Sequence, residues 1–200
     1  MNKLRLVLAS GSPRRKDLLE TVGIKPLVVP SELDETCIDT KELTPGRLVA
    51  DLACRKAKKV AGMFPSDIVL GADTIVVLDG EVLGKPGDPM HARSMLEKLS
   101  GRTHYVYTGI ALYQPETGEV FTDVDCSCVT MRKMDTGEIE WYVSTNEPMG
   151  KAGSYAIQGR AALFITGIKG DYTSVIGLPI PKLYEILIKA GVEIRNLIGS

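Results

Sequence analysis

The chain has 200 residues, 44% hydrophobic and 24% charged, an ordinary globular balance that suits one large domain or two lobes. With 24 basic against 25 acidic residues it has no global field to hold a nucleic-acid backbone, so no nucleic-acid partner is expected and any anionic ligand must be met locally. Only His91 and His104 are present, and Cys37, Cys54, Cys126 and Cys128 lack the spacing of a zinc knuckle or redox pair, which argues against serine-histidine triads and multi-histidine metal sites and for free buried thiols.

Taken in order, residues 4–9 form a short apolar strand. The residues before and within it offer too little apolar length for a signal peptide, and nowhere do about 18 apolar residues follow one another. A cytoplasmic protein without a membrane partner is expected. The strand runs into Ser10-Gly11-Ser12-Pro13-Arg14-Arg15, where Ser12 and Pro13 suit the N-cap and first position of a helix. That helix carries Leu18, Leu19 and Val22 on one face and stops at Gly23. A strand, a small-residue loop and a helix N-terminus present backbone N–H groups and a positive dipole end to an anion. Arg14 and Arg15 in the first turn oppose that dipole, which suggests a phosphate ligand; the alternative is two solvated charges on a capped helix.

A second short strand spans 26–30, and residues 31–39, dense in acids and without periodicity, read as a loop. Hard carboxylate oxygens there suit Mg²⁺, but composition does not choose among Glu32, Asp34 and Glu35, and such a run is often only solvent-facing. Thr44-Pro45 opens a helix with Leu48, Val49, Leu52, Ala53, Ala57, Val60 and Ala61 on its apolar face, closed by Gly62. Its other face carries Arg55, Lys56, Lys58 and Lys59, a pattern usually solvated.

Residues 68–86 form the centre of the chain. Asp79-Gly80 suits a type I′ turn between two apolar, β-branched runs, so two buried antiparallel arms are expected, with Val77 opposite Val82, Thr74 opposite Lys85 and Asp73 opposite Pro86. Asp73 is a carboxylate inside an apolar run, costly unless paired, hydrogen-bonded or bound to a cation. The register would bring it to the same end as Lys85. A general base beside a phosphate-holding cation is one reading; a buried ion pair that fixes register is the other.

Asp88-Pro89 caps a third helix ending near Ser100-Gly101. Residues 103–114, a turn at Pro115-Glu116-Thr117-Gly118 and residues 119–132 form a long hairpin. Residues 135–144 look helical, and the Gly-rich segment 146–159 reads as a binding loop. Residues 161–168 and 172–176 flank Lys169-Gly170-Asp171 as a further hairpin, and 179–190 form a last amphipathic helix. Mixed strands and helices without strict alternation argue α/β with a mixed sheet. P-loop and dinucleotide motifs are absent, and the residues alone lead as far as an enzyme for an anionic, phosphorylated small molecule.

Ser10-Gly11-Ser12-Pro13-Arg14-Arg15 with Leu18-Leu19, then Asp34-Glu35-Thr36, Gly71-Ala72-Asp73-Thr74, Leu83-Gly84-Lys85-Pro86, Leu99-Ser100-Gly101-Arg102-Thr103-His104, Glu147-Pro148, Lys151-Ala152-Gly153 and Ile157-Gln158-Gly159 together resemble the motif set of the Maf family. These are nucleoside triphosphate pyrophosphatases, and the Ser-Pro-Arg-Arg and Ile-Gln-Gly forms resemble the branch acting on dTTP and UTP. The resemblance implies a single Maf-like domain over 1–200, with a mixed twisted sheet and two lobes around a deep cleft, like the inosine triphosphate pyrophosphatases. It implies a homodimer dependent on a divalent metal, Mg²⁺ or Mn²⁺. Residue by residue, it makes Asp73 the proton acceptor, sets Arg14, Thr74 and Gln158 at positions that choose the substrate, places Ser12, Lys56 and Lys85 on the substrate as well, the lysines on phosphates, and makes Glu35 a metal ligand. Gly150 stands where relatives often carry an acid, a departure from the family's pattern. A nucleotide-binding regulator of cell division, with little turnover, is the alternative function the resemblance leaves open.

Overall fold

In the computed structural model, which describes residues 4–33 and 43–198, the apolar runs of the sequence become the strands of one mixed sheet. In chain order the described residues form β1 (Leu6–Leu8), α1 (Pro13–Thr21), β2 (Leu27–Val28), α2 (Pro45–Ala61), β3 (Ile68–Leu78), β4 (Glu81–Leu83), α3 (Pro89–Leu99), β5 (Thr103–Gln114), β6 (Glu119–Met131), α4 (Thr136–Ser144), β7 (Ile165–Lys169), α5 (Tyr172–Ile176) and α6 (Ile180–Lys189). The sheet order is β2-β1-β3-β5-β6-β7, with β4 paired to β3 off this path. β1 lies parallel to β2 and to the start of β3, whereas β3 with β4 and β6 with β7 run antiparallel. The fold is therefore α/β with a mixed sheet, as the element pattern predicts.

The chain divides into two units, one within residues 1–73, 108–125 and 177–200, the other within 74–107 and 126–176. The first has a core of Leu6, Leu8, Leu19, Leu70, Ile110, Leu112, Leu183 and Ile186, among others, with the apolar face of α6 against the sheet. The second is built on Val76, Leu78, Leu96, Leu99, Val106, Met131, Tyr142 and Phe164. Helix starts follow their sequence signals: Asp88 accepts from the His91 N–H at 2.7 Å, and Asp135 with Glu138 closes a full capping box on α4. Among the described residues no helix is long and apolar enough to cross a membrane.

The central turn forms as predicted. Asp79 and Gly80 have φ of 50° and 82°, the two positive values a type I′ turn needs, and Val77 pairs with Val82. The arms differ from expectation in two respects. Only β3 is buried, since Glu81 and Val82 of β4 are exposed. The ladder also ends at Val76 and Leu83, short of the Thr74–Lys85 and Asp73–Pro86 pairs expected: the Gly84 carbonyl accepts instead from the Gly153 N–H at 3.0 Å. Residues 172–176 are helical, not a strand. The Asp171 carboxylate accepts from both the N–H and the hydroxyl of Thr173 at 2.7 Å, an N-terminal cap that outweighs the β-branched composition of Tyr-Thr-Ser-Val-Ile. The thiols are also less buried than expected, for Cys126 is exposed and Cys54 and Cys128 only half-buried. Cys37 lies outside the described residues.

Candidate active site

The first unit places a charged pair where two layers touch most closely. A Cβ on Gly71 would lie 2.0 Å from the Ala53 carbonyl oxygen and 2.9 Å from the Ala57 nitrogen, and one on Gly109 would lie 2.5 Å from the backbone of Val49. Only the missing side chains let α2 rest with its backbone on the sheet. Asp73 shares the Gly71 face of β3, two residues on, and Lys56 stands in α2 between Ala53 and Ala57. The Lys56 Nζ donates to Asp73 Oδ1 at 2.5 Å, with the two side chains only 10% and 11% exposed. The basic face of α2 is thus solvated at Arg55, Lys58 and Lys59 but turned inward at Lys56.

The same register brings the Ser10–Arg15 loop off the sheet at this level. Leu8 of β1 pairs with Leu70 of β3, and the Ala9 N–H bonds the Leu70 carbonyl at 2.8 Å, so the chain leaves the sheet at Ser10 just as β3 reaches Asp73. Ser12 then occupies the N-cap position of α1 with Pro13 behind it, but its hydroxyl makes no capping bond, and no acidic residue stands in the first turn. The helix N-terminus therefore keeps its affinity for an exogenous anion. Arg14 in that first turn is half-buried. Arg15 has a second duty that its position alone does not show: its Nε donates to the Gly177 carbonyl and its Nη1 to Ser10 Oγ, each at 2.8 Å, and Ser10 Oγ also accepts from the Ser12 N–H at 3.3 Å. Arg15 and Ser10 brace the loop.

The second unit carries Thr74, Lys85 and Gln158. Thr74 is half-buried on β3; Lys85, after β4, and Gln158 are exposed. The Gly-rich segment before Gln158 is packed, not slack, for Gly153, Ser154, Tyr155, Ala156 and Ile157 are all buried. Its anchors are the Tyr155 hydroxyl on His104 Nε2 at 2.7 Å and the Ser154 hydroxyl on the Met95 sulfur at 3.0 Å. Burial lowers the His104 pKa to about 4, so this ring is neutral at ordinary pH. Glu147, part of the Glu147-Pro148 motif but given no role by it, accepts through its carboxylate from Tyr142 and from the N–H groups of Arg160 and Ala161, which follow Gln158 and Gly159.

Glu35, the metal ligand expected from the resemblance, lies outside the described residues, and among the described residues no three His, Cys, Asp or Glu side chains stand together as a ready-made cage. Mg²⁺ brought with a triphosphate needs only one or two protein carboxylates, the phosphates and water completing its shell. Asp73, a buried hard-oxygen donor at the level of the Ser10–Arg15 loop, is of the donor type such an ion takes.

Comparison with known proteins gives the fold and the family. The structure is similar to the Staphylococcus aureus Ham1 protein, with a TM-score of 0.52 over 93% of this chain and 99% of that one, at 13% identity, a likeness of fold. In sequence it is 49% identical over 183 residues to the dTTP/UTP pyrophosphatase of Syntrophus aciditrophicus, covering 92% of this chain and 88% of the relative. It is 47% identical over 189 residues to the protein of the same name from Pelotomaculum thermopropionicum, covering 94% and 98%. The profile described as Maf-like protein matches residues 5–190, which takes in the Ser10–Arg15 loop, the Lys56–Asp73 pair and the Gln158 turn alike, and the chain therefore belongs to the Maf family.

Proposed function

We propose that this chain is a nucleoside triphosphate pyrophosphatase that hydrolyses dTTP and UTP to the monophosphate and pyrophosphate, with Asp73 as proton acceptor. The observation that carries the reading is the Lys56–Asp73 pair at 2.5 Å. Two buried charges cost several kcal/mol in desolvation, which is weak value for stability alone, yet they lie level with a loop built to receive an anion. The names of the relatives, dTTP/UTP pyrophosphatase, supply the substrate class.

In this reading the triphosphate is met by the N–H groups at the start of α1, by Ser12 and Arg14, and by the Lys56 ammonium; Lys85 takes a phosphate and Thr74 the substrate, as the family motif implies. Water attacks the α-phosphorus. Its oxygen forms the new P–O bond as the bond to the bridging oxygen breaks, its proton passes to an Asp73 oxygen, and pyrophosphate leaves with the electron pair. Lys56 holds the Asp73 carboxylate in line and offsets charge on the phosphate oxygens, which is most of what such a site must do. A bound Mg²⁺ or Mn²⁺, held by Glu35, would supply further charge neutralisation on those oxygens. The Gln158 amide pairs with the imide N–H and a carbonyl of uracil or thymine, an edge that cytosine lacks. A homodimer, in the cytoplasm, without nucleic acid or membrane as partner, completes the proposal.

The test is release of pyrophosphate from dTTP by the purified protein with Mg²⁺. Monophosphate and pyrophosphate in equal amounts are expected. Tight binding of dTTP without turnover would overturn the enzyme in favour of a nucleotide-binding regulator.

A further inference from the structure

Gln158 stands exposed at the tip of a turn, and an exposed amide selects a base only if the backbone beneath it is held. The turn is tied down by one carboxylate. Glu147 Oε1 accepts from the Arg160 N–H at 2.9 Å, from the Ala161 N–H at 3.4 Å and from the Tyr142 hydroxyl at 3.0 Å. Its Oε2 accepts from the Arg160 N–H at 3.2 Å and from the Arg160 guanidinium at 3.5 Å. Between Gln158 and these donors sits Gly159 at φ 131°, where a Cβ would come within 2.7 Å of Glu147 Oε1. The carboxylate thus fills the space that any other residue at 159 would claim.

The restraint begins in the core. The Tyr142 ring is fully buried and meets the Phe164 ring edge-on with centroids 5.7 Å apart, so its hydroxyl is a fixed donor. Burial, and then the charge of Glu147, raise the Tyr142 pKa above its ordinary value, which keeps the phenol protonated. The backbone of Glu147 is fixed as well: its N–H donates to Thr145 Oγ1 at 3.2 Å, that hydroxyl donates to the Tyr142 carbonyl at 2.7 Å, and Lys151 Nζ donates to the Glu147 carbonyl. Helix α4, Glu147 and the two residues after Gly159, Arg160 and Ala161, are one connected hydrogen-bonded piece. Such a piece needs every member, because a buried acceptor removed leaves its donors unpaired.

We propose that Glu147 is a positioning residue that fixes the turn bearing Gln158 and thereby sets the preference for uracil and thymine over cytosine. The inference rests on the base-reading role of Gln158. Glu147 touches no reacting atom; it decides which way the amide of Gln158 faces, and so whether its donor and acceptor meet the pyrimidine edge in the discriminating order. Its truncation should act on KM for the preferred base and on selectivity, while the step at the α-phosphorus proceeds.

The experiment compares kcat and KM for UTP and CTP in the wild type, Gln158→Ala, Glu147→Ala, Glu147→Gln and Gly159→Ala, with Mg²⁺ throughout. Glu147→Ala should lower the UTP:CTP ratio of kcat/KM roughly tenfold, through the KM for UTP, with kcat changed by less than about threefold. Glu147→Gln keeps a carbonyl oxygen where Oε1 stood and should return the ratio to within about threefold of wild type. Gly159→Ala, which drives a methyl group at the carboxylate, should flatten the ratio as Glu147→Ala does, and it decides the matter if Glu147→Ala does not fold. If Gln158→Ala flattens the ratio while Glu147→Ala or, failing that, Gly159→Ala leaves it at the wild-type value, Gln158 reads the base without help from Glu147 and the inference is wrong. If Gln158→Ala itself leaves the ratio unchanged, the base-reading role fails, and the positioning role falls with it.

Discussion

Gly71→Ala tests whether the close seat of α2 on β3 holds the charged pair in place. The new methyl carbon would stand 2.0 Å from the Ala53 carbonyl oxygen, 2.9 Å from the Ala57 nitrogen and 3.0 Å from the Ala53 carbonyl carbon. All three are backbone atoms, so no rotamer change clears them, and the helix must retreat by about 1 Å, a gap that forfeits about half of the dispersion across the interface. Overpacking a core typically costs about 1–3 kcal/mol. Because Leu48, Val49, Leu52, Ala53, Ala57, Val60 and Ala61 are all buried along this helix, the upper end of that range applies. For a chain of this length a loss of about 3 kcal/mol lowers the melting temperature by roughly 6–12 °C. The retreat also carries Lys56 away from Asp73, and a misplacement of about 1 Å at a reacting group costs on the order of 10²-fold in turnover. Thermal melts and initial rates of pyrophosphate release from dTTP, taken well below the transition, read the two effects separately. Gly62→Ala, at φ −59° with no atom within 4 Å of the added carbon, is the control and should change neither. A Gly71→Ala protein that melts within about 2 °C of wild type and turns over within about twofold would refute the reasoning.

Asp73→Asn keeps a side-chain oxygen for Lys56 but removes the base, so turnover should fall roughly 10²- to 10⁴-fold with the circular dichroism spectrum unchanged; a wild-type rate would end its assignment as proton acceptor. Excess chelator should abolish pyrophosphate release without lowering the melting temperature, because a core of this size folds without metal, and Glu35→Gln should raise the Mg²⁺ concentration at half-maximal rate; full activity in chelator would remove the metal from the mechanism. His104 makes stability depend on pH. Its pKa is about 4 in the folded chain against an ordinary 6.5, so between those values the unfolded chain holds the extra proton. Its contribution is therefore fully present above the ordinary pKa and is lost as the pH falls towards the folded one, by up to about 3 kcal/mol. Urea midpoints for wild type and His104→Gln at either end of that window should show the smaller loss in the variant, and equal losses would clear His104 of the effect.

Most of the fold is written in local signals. The ends of α2, the Asp88 cap, the capping box at Asp135 and the positive φ of Asp79 and Gly80 each follow from residues within one turn of the place they act. The failures come where a distant partner decides. Residues 172–176 have β-branched composition, but Gly170 is pressed against Ser127, the Ser127 hydroxyl accepts from the Asp171 N–H at 2.8 Å, and Asp171 then caps a helix. Extending the hairpin register to Lys85 fails because the Gly84 carbonyl is taken by Gly153, nearly seventy residues on.

The site divides along the same line. Asp73 is legible because an ionised carboxylate in an apolar run contradicts its surroundings, and a contradiction of several kcal/mol must be resolved by a partner. Lys56 sends no such signal: on a helical wheel it borders Ala53 and Ala57, and what turns it inward is the absence of a side chain at Gly71, which only the packed layers reveal. Gln158 and Glu147 lie further out of reach, since polar residues among glycines have no periodicity to violate. A site residue is readable from sequence to the degree that it strains its own segment. Residues that act by holding another element cause no strain where they stand, which is why the brace at Arg15 and Ser10 and the clamp at Glu147 emerge only from hydrogen bonds that span the fold.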